Sequence, residues 1–494
     1  VVGGHCVLFW SWTASRHRIV AHDPKTHTIL FDRPSRQPLG SHLPQSGRRF
    51  ILEGFSAALD APGEFAVRAA QTPGESSVLK STMEWLSGVD SSSTSEATPT
   101  LMYLPRPSQA EEALSESEAL SSYVAASGLT TLLKAEPALA DNGGQGSGER
   151  VQPLRRLRLD GLAFEHADWE LPKAPEMADW QGGAFLEDAA ILLRHIDGAT
   201  VSNVHVRHVG GYAMWLQEGA KNCIVERCVM RDLGGGGVRI GSMELSPQNA
   251  SVGVGAVKPP VVEASHNVFD ASRVVDGGHV FREGVGVLVH RSRYNNITRN
   301  EIAHLGYTGV SLGWEWGYAQ PSGGGHNHVL DNFIHHIGRW ELADMGGIYV
   351  LGVAEGTVIE GNVIAHVASY HMYAWGIYLD EGASQVLVRR NIVHHTLSAG
   401  LHQHYGHNNT ITDNVFACAG GADGDVAISI GEEHLSFAFA RNVVLRCPVA
   451  WASGGSRAEQ QPVFPAAPSW LVWWKGEGSS KLNMSFEENT YASL

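Results

Sequence analysis

Two aspartates sit where a polar side chain could do chemistry: Asp344, in the run DMGGIY, and Asp380, in IYLDEG. Around them gather Trp314, Trp316, Trp340, Tyr349, Trp375, Tyr378 and Tyr405. Two carboxyl groups on one surface, ringed by flat aromatic side chains, are what glycosidic cleavage needs. One acid protonates the leaving oxygen, and the other attacks or activates water. Aromatic faces with polar tips suit the apolar faces of sugar rings. Glu381 and Glu315 are rival carboxylates in the same region. The plain alternative is that Asp380-Glu381-Gly382 is a polar turn closing a strand, and that the aromatics are stacking columns that serve stability. His394, His395, His402, His404 and His407 invite a metal reading. No carboxylate partner is fixed by spacing, so the sequence defines no ligand set, and the two-carboxylate chemistry calls for no cofactor.

What must position these groups is a repeat. The pattern apolar-x-x-Asn-x-apolar recurs at Asn267, Asn300, Asn332, Asn362, Asn391 and Asn414, at spacings of 33, 32, 30, 29 and 23 residues. Ile297, Val329, Ile359, Val388 and Ile411 precede the last five asparagines by three positions; Ile302, Ile334, Ile364, Val393 and Phe416 follow by two, and the first copy keeps only Phe269. A second strand begins at Gly286-Val287, Gly309-Val310, Gly347-Ile348 and Gly376-Ile377. Short β-branched strands at a near-constant period mean one unit per repeat, stacked to share a core. Asn suits a tight corner because it tolerates left-handed backbone, and its amides can pair from coil to coil. The fold expected is all-β: a right-handed parallel β-helix with an N-terminal β-rich lobe.

Aligning coils on the Gly-apolar strand stacks position 380 over His290, Gly313 and Leu351, with His404 after it. Strand residues alternate sides, so Tyr378 and Asp380 face away from Ile377 and Leu379, and Tyr349, Tyr378 and His402 form a neighbouring outward column. Asp344 lies at the mouth of the same sheet, three residues before Gly347.

The bulk numbers agree. With 494 residues, 56 Gly, 14 Trp and only 18% charged residues, the chain suits a loop-bearing β-solenoid rather than a disordered polymer. A formal net charge of −15 disfavours nucleic acid, anionic membranes and strongly acidic polymers as partners. No apolar run is long enough to span a bilayer. The chain opens at Val1 with no charged-then-apolar leader and reads as a fragment or processed form. Sequons at Asn249, Asn296, Asn408 and Asn483 suit an extracellular or secretory location. The cysteines Cys6, Cys223, Cys228, Cys418 and Cys447 show no metal spacing and read as buried apolar thiols.

Residues 1–110 read as the N-terminal lobe, interrupted at 87–100 by a Ser/Thr-rich disordered insertion. Residues 111–150 connect, with a flexible loop at Asp141–Arg150. The solenoid occupies 151–450, broken by an excursion at Ser246–Ser265 that could close one end of a cleft. Residues 451–494 form its C-terminal edge.

Several long runs carry a family resemblance: DGGHVFREGVGVLVH (Asp276 to His290), YTGVSLGWEWGY (Tyr307 to Tyr318), DMGGIYVLG (Asp344 to Gly352), WGIYLDEGAS (Trp375 to Ser384) and GLHQHYG (Gly400 to Gly406). With RRFILEGFSAALDAPGEF (Arg48 to Phe65), LMYLPRP (Leu101 to Pro107) and LDGLAFEHADW (Leu159 to Trp169), the chain resembles, over roughly residues 48–450, the β-helix group that includes glycoside hydrolase family 141. The resemblance implies cleavage of α-L-fucosides or xylan by a retaining mechanism on two aspartates, carried over to Asp344 and Asp380 with their roles open. It implies an oligo- or polysaccharide substrate bound by Glu381, Trp314, Glu315, Trp316, Tyr349, Trp375, Tyr378, His402, His404 and Tyr405. The chain departs from the pattern at His371-Met372-Tyr373-Ala374, where the group has a Gly-rich approach, and after Gly63-Glu64-Phe65, where an inserted stretch replaces a strand. Two other readings stand beside the hydrolase. A polysaccharide lyase or epimerase would need a Lys or Arg base, yet no Lys lies between Lys258 and Lys475, leaving arginines such as Arg339 and Arg389. A non-catalytic carbohydrate-binding solenoid would use the same aromatics only to hold glycan.

Overall fold

The computed structural model describes residues 2–35, 49–55, 65–68, 100–103, 128–137, 152–171, 186, 188–242, 263–318, 324–370, 373–420, 425–447, 471–473 and 483–493. Most of the Ser/Thr-rich stretch, the Asp141–Arg150 loop, nearly all of the Ser246–Ser265 excursion and His371-Met372 lie outside them.

The strands form a right-handed parallel β-helix. Three eleven-stranded parallel sheets take every third strand in turn. The first sheet runs from Leu133–Ala135 to Leu471–Trp473, the second from Arg158–Asp160 to Asn483–Glu487, and the third from Ala163–Glu165 to Thr490–Ser493. Its first strand, Leu133–Ala135, pairs with Ile191–Leu193 and so lies inside the segment 111–150 expected as a connector. Three residues with no asparagine corner beside them carry too little pattern to be read as a coil.

The apolar positions flanking each asparagine stack as the repeat requires. Ile297, Val329, Ile359, Val388 and Ile411 are successive register partners in the second sheet. Ile302, Ile334, Ile364, Val393 and Phe416 do the same in the third. All ten are fully buried, each contributing about 1.5–3 kcal/mol of transfer free energy.

The asparagines fall into two ladders, not one. From Asn300 to Asn442, each side-chain amide donates to the Oδ1 of the next, at 3.0, 2.9, 2.9, 3.0 and 2.9 Å. The same Oδ1 accepts the backbone N–H of the preceding Asn, and the second amide hydrogen goes to a carbonyl of the coil before, as from Asn362 to the oxygen of Val329. Asn267 belongs elsewhere. It donates to Asn295, which donates to Asn327, in a ladder at the other end of the second-sheet strands. Ser272 takes its place below Asn300. Nor do the ladder asparagines adopt left-handed backbone. The residue before each does: Arg299, Asp331, Gly361, Arg390, Asp413 and Arg441, with φ of 54, 56, 69, 55, 59 and 52°. The corner residue bends the chain, which leaves the asparagine extended with its amide aimed along the axis.

Cys418 and Cys447 form a disulfide, correcting the reading of all five as free thiols; Cys6, Cys223 and Cys228 are buried and free. The two follow adjacent strands of the third sheet, Val415–Ala417 and Val443–Arg446, so the coil register sets them one above the other. Sequence spacing of 29 residues does not reveal this until the register is known.

Leu154–Arg155 and Ile196–Asp197 add a short parallel pair to the solenoid unit, and the described strands of the other compact unit (1–126 with 171–182) are antiparallel. Thr28–Phe31, Ala14–Asp23, His5–Phe9 and Arg49–Glu53 make one sheet over a small core of Cys6, Leu8, Trp10 and Ile19. Phe65–Arg68 pairs with Thr100–Tyr103, so a strand follows Gly63-Glu64 where the sequence reads as an insertion. The alternating Phe65-Ala66-Val67 was too short a signal beside the polar run that follows. No described helix is long and apolar enough to cross a membrane.

Candidate active site

The first sheet carries the candidate site. Tyr349, Tyr378 and His402 are register partners in three consecutive coils. One residue further along, Leu379 pairs with Val350 and Gln403, which sets Asp380 between Leu351 and His404. The Asp380 backbone N–H donates to the Val350 carbonyl at 2.8 Å. The strand then turns at Gly382, whose φ is 80° and where a Cβ would strike the Gly317 carbonyl. Asp380-Glu381-Gly382 is thus a strand-ending turn, and its first carboxylate is still turned into the column.

Asp380 is 8% exposed and held by three groups. Tyr349 donates to Oδ2 at 2.5 Å, Tyr378 donates to Oδ1 at 2.8 Å, and His404 Nδ1 lies 3.0 Å from Oδ1. Burial alone would raise this carboxyl. The hydrogen bond and charge of His404, joined by the two phenols, outweigh it and leave Asp380 below the ordinary carboxylate range. His404 moves the other way: burial would lower it, but its bond to Asp380 and the charges of Asp380, Glu381 and Asp344 raise it.

Asp344 is half-buried at the corner before the strand Met345–Leu351, with φ of 58°. Tyr307, from the coil before, donates to its backbone carbonyl at 2.9 Å. Burial and the neighbouring charge of Asp380 push the Asp344 carboxyl up to about 7, although the Tyr378 phenol acts against them. The Tyr378 phenol gives its one hydrogen to Asp380. The pair is split: one member is ionised at neutral pH, and the other is poised to hold a proton.

Aromatic rings back and flank the pair. Tyr378 stacks on His402 at 4.9 Å, and Trp375 leans on both at 4.4 and 4.1 Å. Trp314 is fully buried behind Tyr349 and bonds Ser311, with Trp316 edge-on to it at 5.9 Å. His402 is held neutral by burial and the charge of His404, at about 3. Its Nε2 meets the Ser429 hydroxyl at 2.7 Å, whereas its Nδ1 and the indole nitrogen of Trp375 are buried with no hydrogen-bond partner. Gly346 keeps this wall clear, since a Cβ there would press on Tyr378. Glu381 is half-buried and accepts a bond from Tyr405 at 3.2 Å.

Some expected members are placed elsewhere. The Glu315 carboxylate is 2.9 Å from Arg291, in an ion pair buried on both sides. Its charge makes it look catalytic in sequence, but the register of the next coil closes over it. Trp340 is turned to solvent, 51% exposed. The histidine cluster splits, with His402 and His404 in the site column and His394 and His395 in the third sheet. Sequence reasoning missed Tyr307, Ser429 and the rim of Tyr318, Glu432 and His434. Tyr318 donates to Glu432, which lies 2.9 Å from His434, and its ring meets Tyr405 edge-on at 5.7 Å. Tyr307 opens one of the recognised runs, and coil alignment would have set it beside Asp344. Glu432 and His434 lie past the last recognised repeat, where no such signal existed.

The sequence pattern of the right-handed β-helix region matches residues 189–314 and 285–424. A solved glycoside hydrolase aligns with a TM-score of 0.57 and 19% identity, covering 86% of this chain and 67% of its own. A mannuronan C-5 epimerase module from Azotobacter vinelandii aligns with a TM-score of 0.41 and 11% identity over 68% of this chain and 79% of its own. A lacto-N-biosidase from Eubacterium ramulus aligns with a TM-score of 0.33 and 10% identity over 62% of this chain and 51% of its own. At these identities the likeness is one of fold. No curated protein matches the sequence.

Proposed function

We propose that this solenoid is a glycoside hydrolase in which Asp344 is the general acid/base and Asp380 the nucleophile. The observation that carries the reading is a buried carboxylate, Asp380, held by Tyr349, Tyr378 and His404, beside a second carboxyl, Asp344, that burial and the Asp380 charge push towards the protonated form. In the first step the Asp344 hydroxyl gives its proton to the glycosidic oxygen while the Asp380 carboxylate attacks the anomeric carbon. The aglycone leaves as an alcohol, and a glycosyl ester remains on Asp380. Esterification removes the Asp380 charge, which is one of the forces raising Asp344, so Asp344 becomes the stronger acid and is left ionised. It then takes a proton from water, the hydroxide oxygen attacks the anomeric carbon, and Asp380 is regenerated. A retaining course is the one the family resemblance implies, and it calls for carboxyl groups about 5–5.5 Å apart.

The substrate class follows from the surroundings and the resemblance. Asp344, Asp380, Glu381 and Glu432 make the site acidic, which disfavours uronate chains and suits neutral or deoxy sugars of the fucoside or xylan type. A lyase base is poorly supplied. Arg389 is held by Glu360 at 2.8 Å in the second sheet, and Arg339 lies 3.8 Å from Asp276. The second reading, a binding solenoid, draws on the same aromatic wall. The test is a panel of aryl glycosides and plant or algal oligosaccharides offered to the wild type, Asp344→Asn and Asp380→Asn. Release of one sugar by the wild type alone supports the hydrolase. No release from any member, with glycan binding kept in all three proteins, replaces it with the binding solenoid.

A further inference from the structure

The third sheet carries a second-order repeat that the proposed hydrolysis does not use. At the third and fourth positions of four successive strands stand Ala303-His304, His335-His336, Ala365-His366 and His394-His395. A single histidine thus alternates with a pair, every two coils, in strict register. The fourth-position residues all have left-handed backbone, with φ of 58, 54, 56 and 55°, and form one column at the corner. Their ring centroids are 4.9, 4.8 and 5.2 Å apart from coil to coil. Within each pair the two Nδ1 atoms face one another, at 2.8 Å in His335–His336 and 2.7 Å in His394–His395. Each single histidine also meets the third-position ring above it edge-on, His304 with His335 at 85° and His366 with His394 at 81°.

Three imidazoles converge most closely in the first of these units. One ligand nitrogen from each of His304, His335 and His336 lies within 4.8 Å of the others. Nitrogens around a tetrahedral ion bound at 2.0–2.1 Å stand about 3.3 Å apart, a spacing that small ring rotations reach from here. His335 is only 9% exposed, yet its Nε2 is buried without a hydrogen-bond partner, the nearest carboxylate being Glu301 at 3.6 Å, beyond hydrogen-bond length.

We propose that His304, His335 and His336 form a binding site for a divalent transition-metal ion of the zinc class, clasping two consecutive coils of the solenoid. An all-imidazole donor set with one carboxylate nearby selects zinc, nickel or copper over magnesium or calcium. His366, His394 and His395 repeat the ring stacking two coils further on, without the same convergence of ligand nitrogens. A structural clasp is the role this arrangement suits, because the ligands come from different coils and lie on a different sheet from Asp344 and Asp380.

The test uses the full, tag-free chain. It is loaded with zinc sulfate and desalted; metal per chain is then counted, and cobalt replaces zinc to read the visible absorption of a tetrahedral nitrogen-ligated ion. His304→Ala is the variant of choice, because its side chain is exposed. The expected result is a loss of one zinc equivalent relative to wild type, together with loss of the matching cobalt absorption and of the zinc-dependent rise in melting temperature. An unchanged zinc count in His304→Ala, or a wild type that retains no zinc, overturns the proposal and leaves the histidines a hydrogen-bonded stack. No sugar enters the measurement, so its outcome is independent of the hydrolase assignment.

Discussion

The asparagine column from Asn300 to Asn442 and the column of Tyr349, Tyr378, Asp380 and His404 are both built by stacking polar side chains on consecutive coils, yet they differ in kind. The asparagine column repeats one residue. Every amide hydrogen and oxygen finds a partner, and nothing in it titrates. The other column repeats no residue. It mixes phenols, a carboxylate and an imidazole, drives Asp344 and Asp380 apart in proton affinity, and leaves the Trp375 indole nitrogen and His402 Nδ1 unpaired. Buried polar groups are normally satisfied, and departures call for an explanation. In a solenoid the comparison is internal. Regular repetition marks scaffold, and a polar column that breaks repetition marks the place where something else is required.

Substitutions should break the two columns in opposite ways. Asp380→Asn should cost the largest factor, on the order of 10⁴-fold or more in kcat, because it removes the nucleophile itself. Steady-state rates on the aryl glycoside cleaved by the wild type give the number, with an unchanged melting curve showing that the fold survives. Asp344→Asn should lower kcat by on the order of 10²–10⁴-fold, with the loss greatest for poor leaving groups, since an activated aryl oxygen needs little protonation. A loss independent of leaving group would take the acid role from Asp344. Tyr378→Phe should lower kcat by on the order of 10²-fold. It should also shift the acidic limb of the pH profile upward, because Asp380 loses a hydrogen bond that favours its ionised form. At the small end of the activity scale, Asn362→Ala should leave kcat near the wild-type value. Its cost should appear in denaturant unfolding, at about 1–3 kcal/mol for each buried group left unpaired, starting with the N–H groups of Asn332.

The scaffold was legible because its signals are periodic. Each Ile or Val beside an asparagine is copied in the next coil, and a copied residue can be aligned without coordinates. That alignment also predicted the stack of Tyr349, Tyr378 and His402 and the seat of Asp380 beside His404. It erred where one copy was imperfect, taking Asn267 for a member of the Asn300 column when Ser272 occupies that place. Glu315 looked like a rival carboxylate because its ion pair with Arg291, made between coils, leaves no local mark in the sequence. The Cys418–Cys447 bridge was hidden for the same reason. The division of labour between Asp344 and Asp380 was not readable at all. It arises from burial, from His404 and from the two phenols on Asp380, none of which a motif encodes.

The most direct test of the split pair is the pH dependence of kcat/KM for the wild type and Asp344→Asn on the same aryl glycoside. Asp344 must carry its proton and Asp380 must not. Wild-type activity should therefore fall as pH rises through about 7 and fall again only in strong acid, below the usual carboxylate range. In Asp344→Asn the residual activity should lose the alkaline limb and keep the acidic one. A wild-type profile flat through neutral pH, or an alkaline limb that persists in Asp344→Asn, would contradict the assignment of the two aspartates.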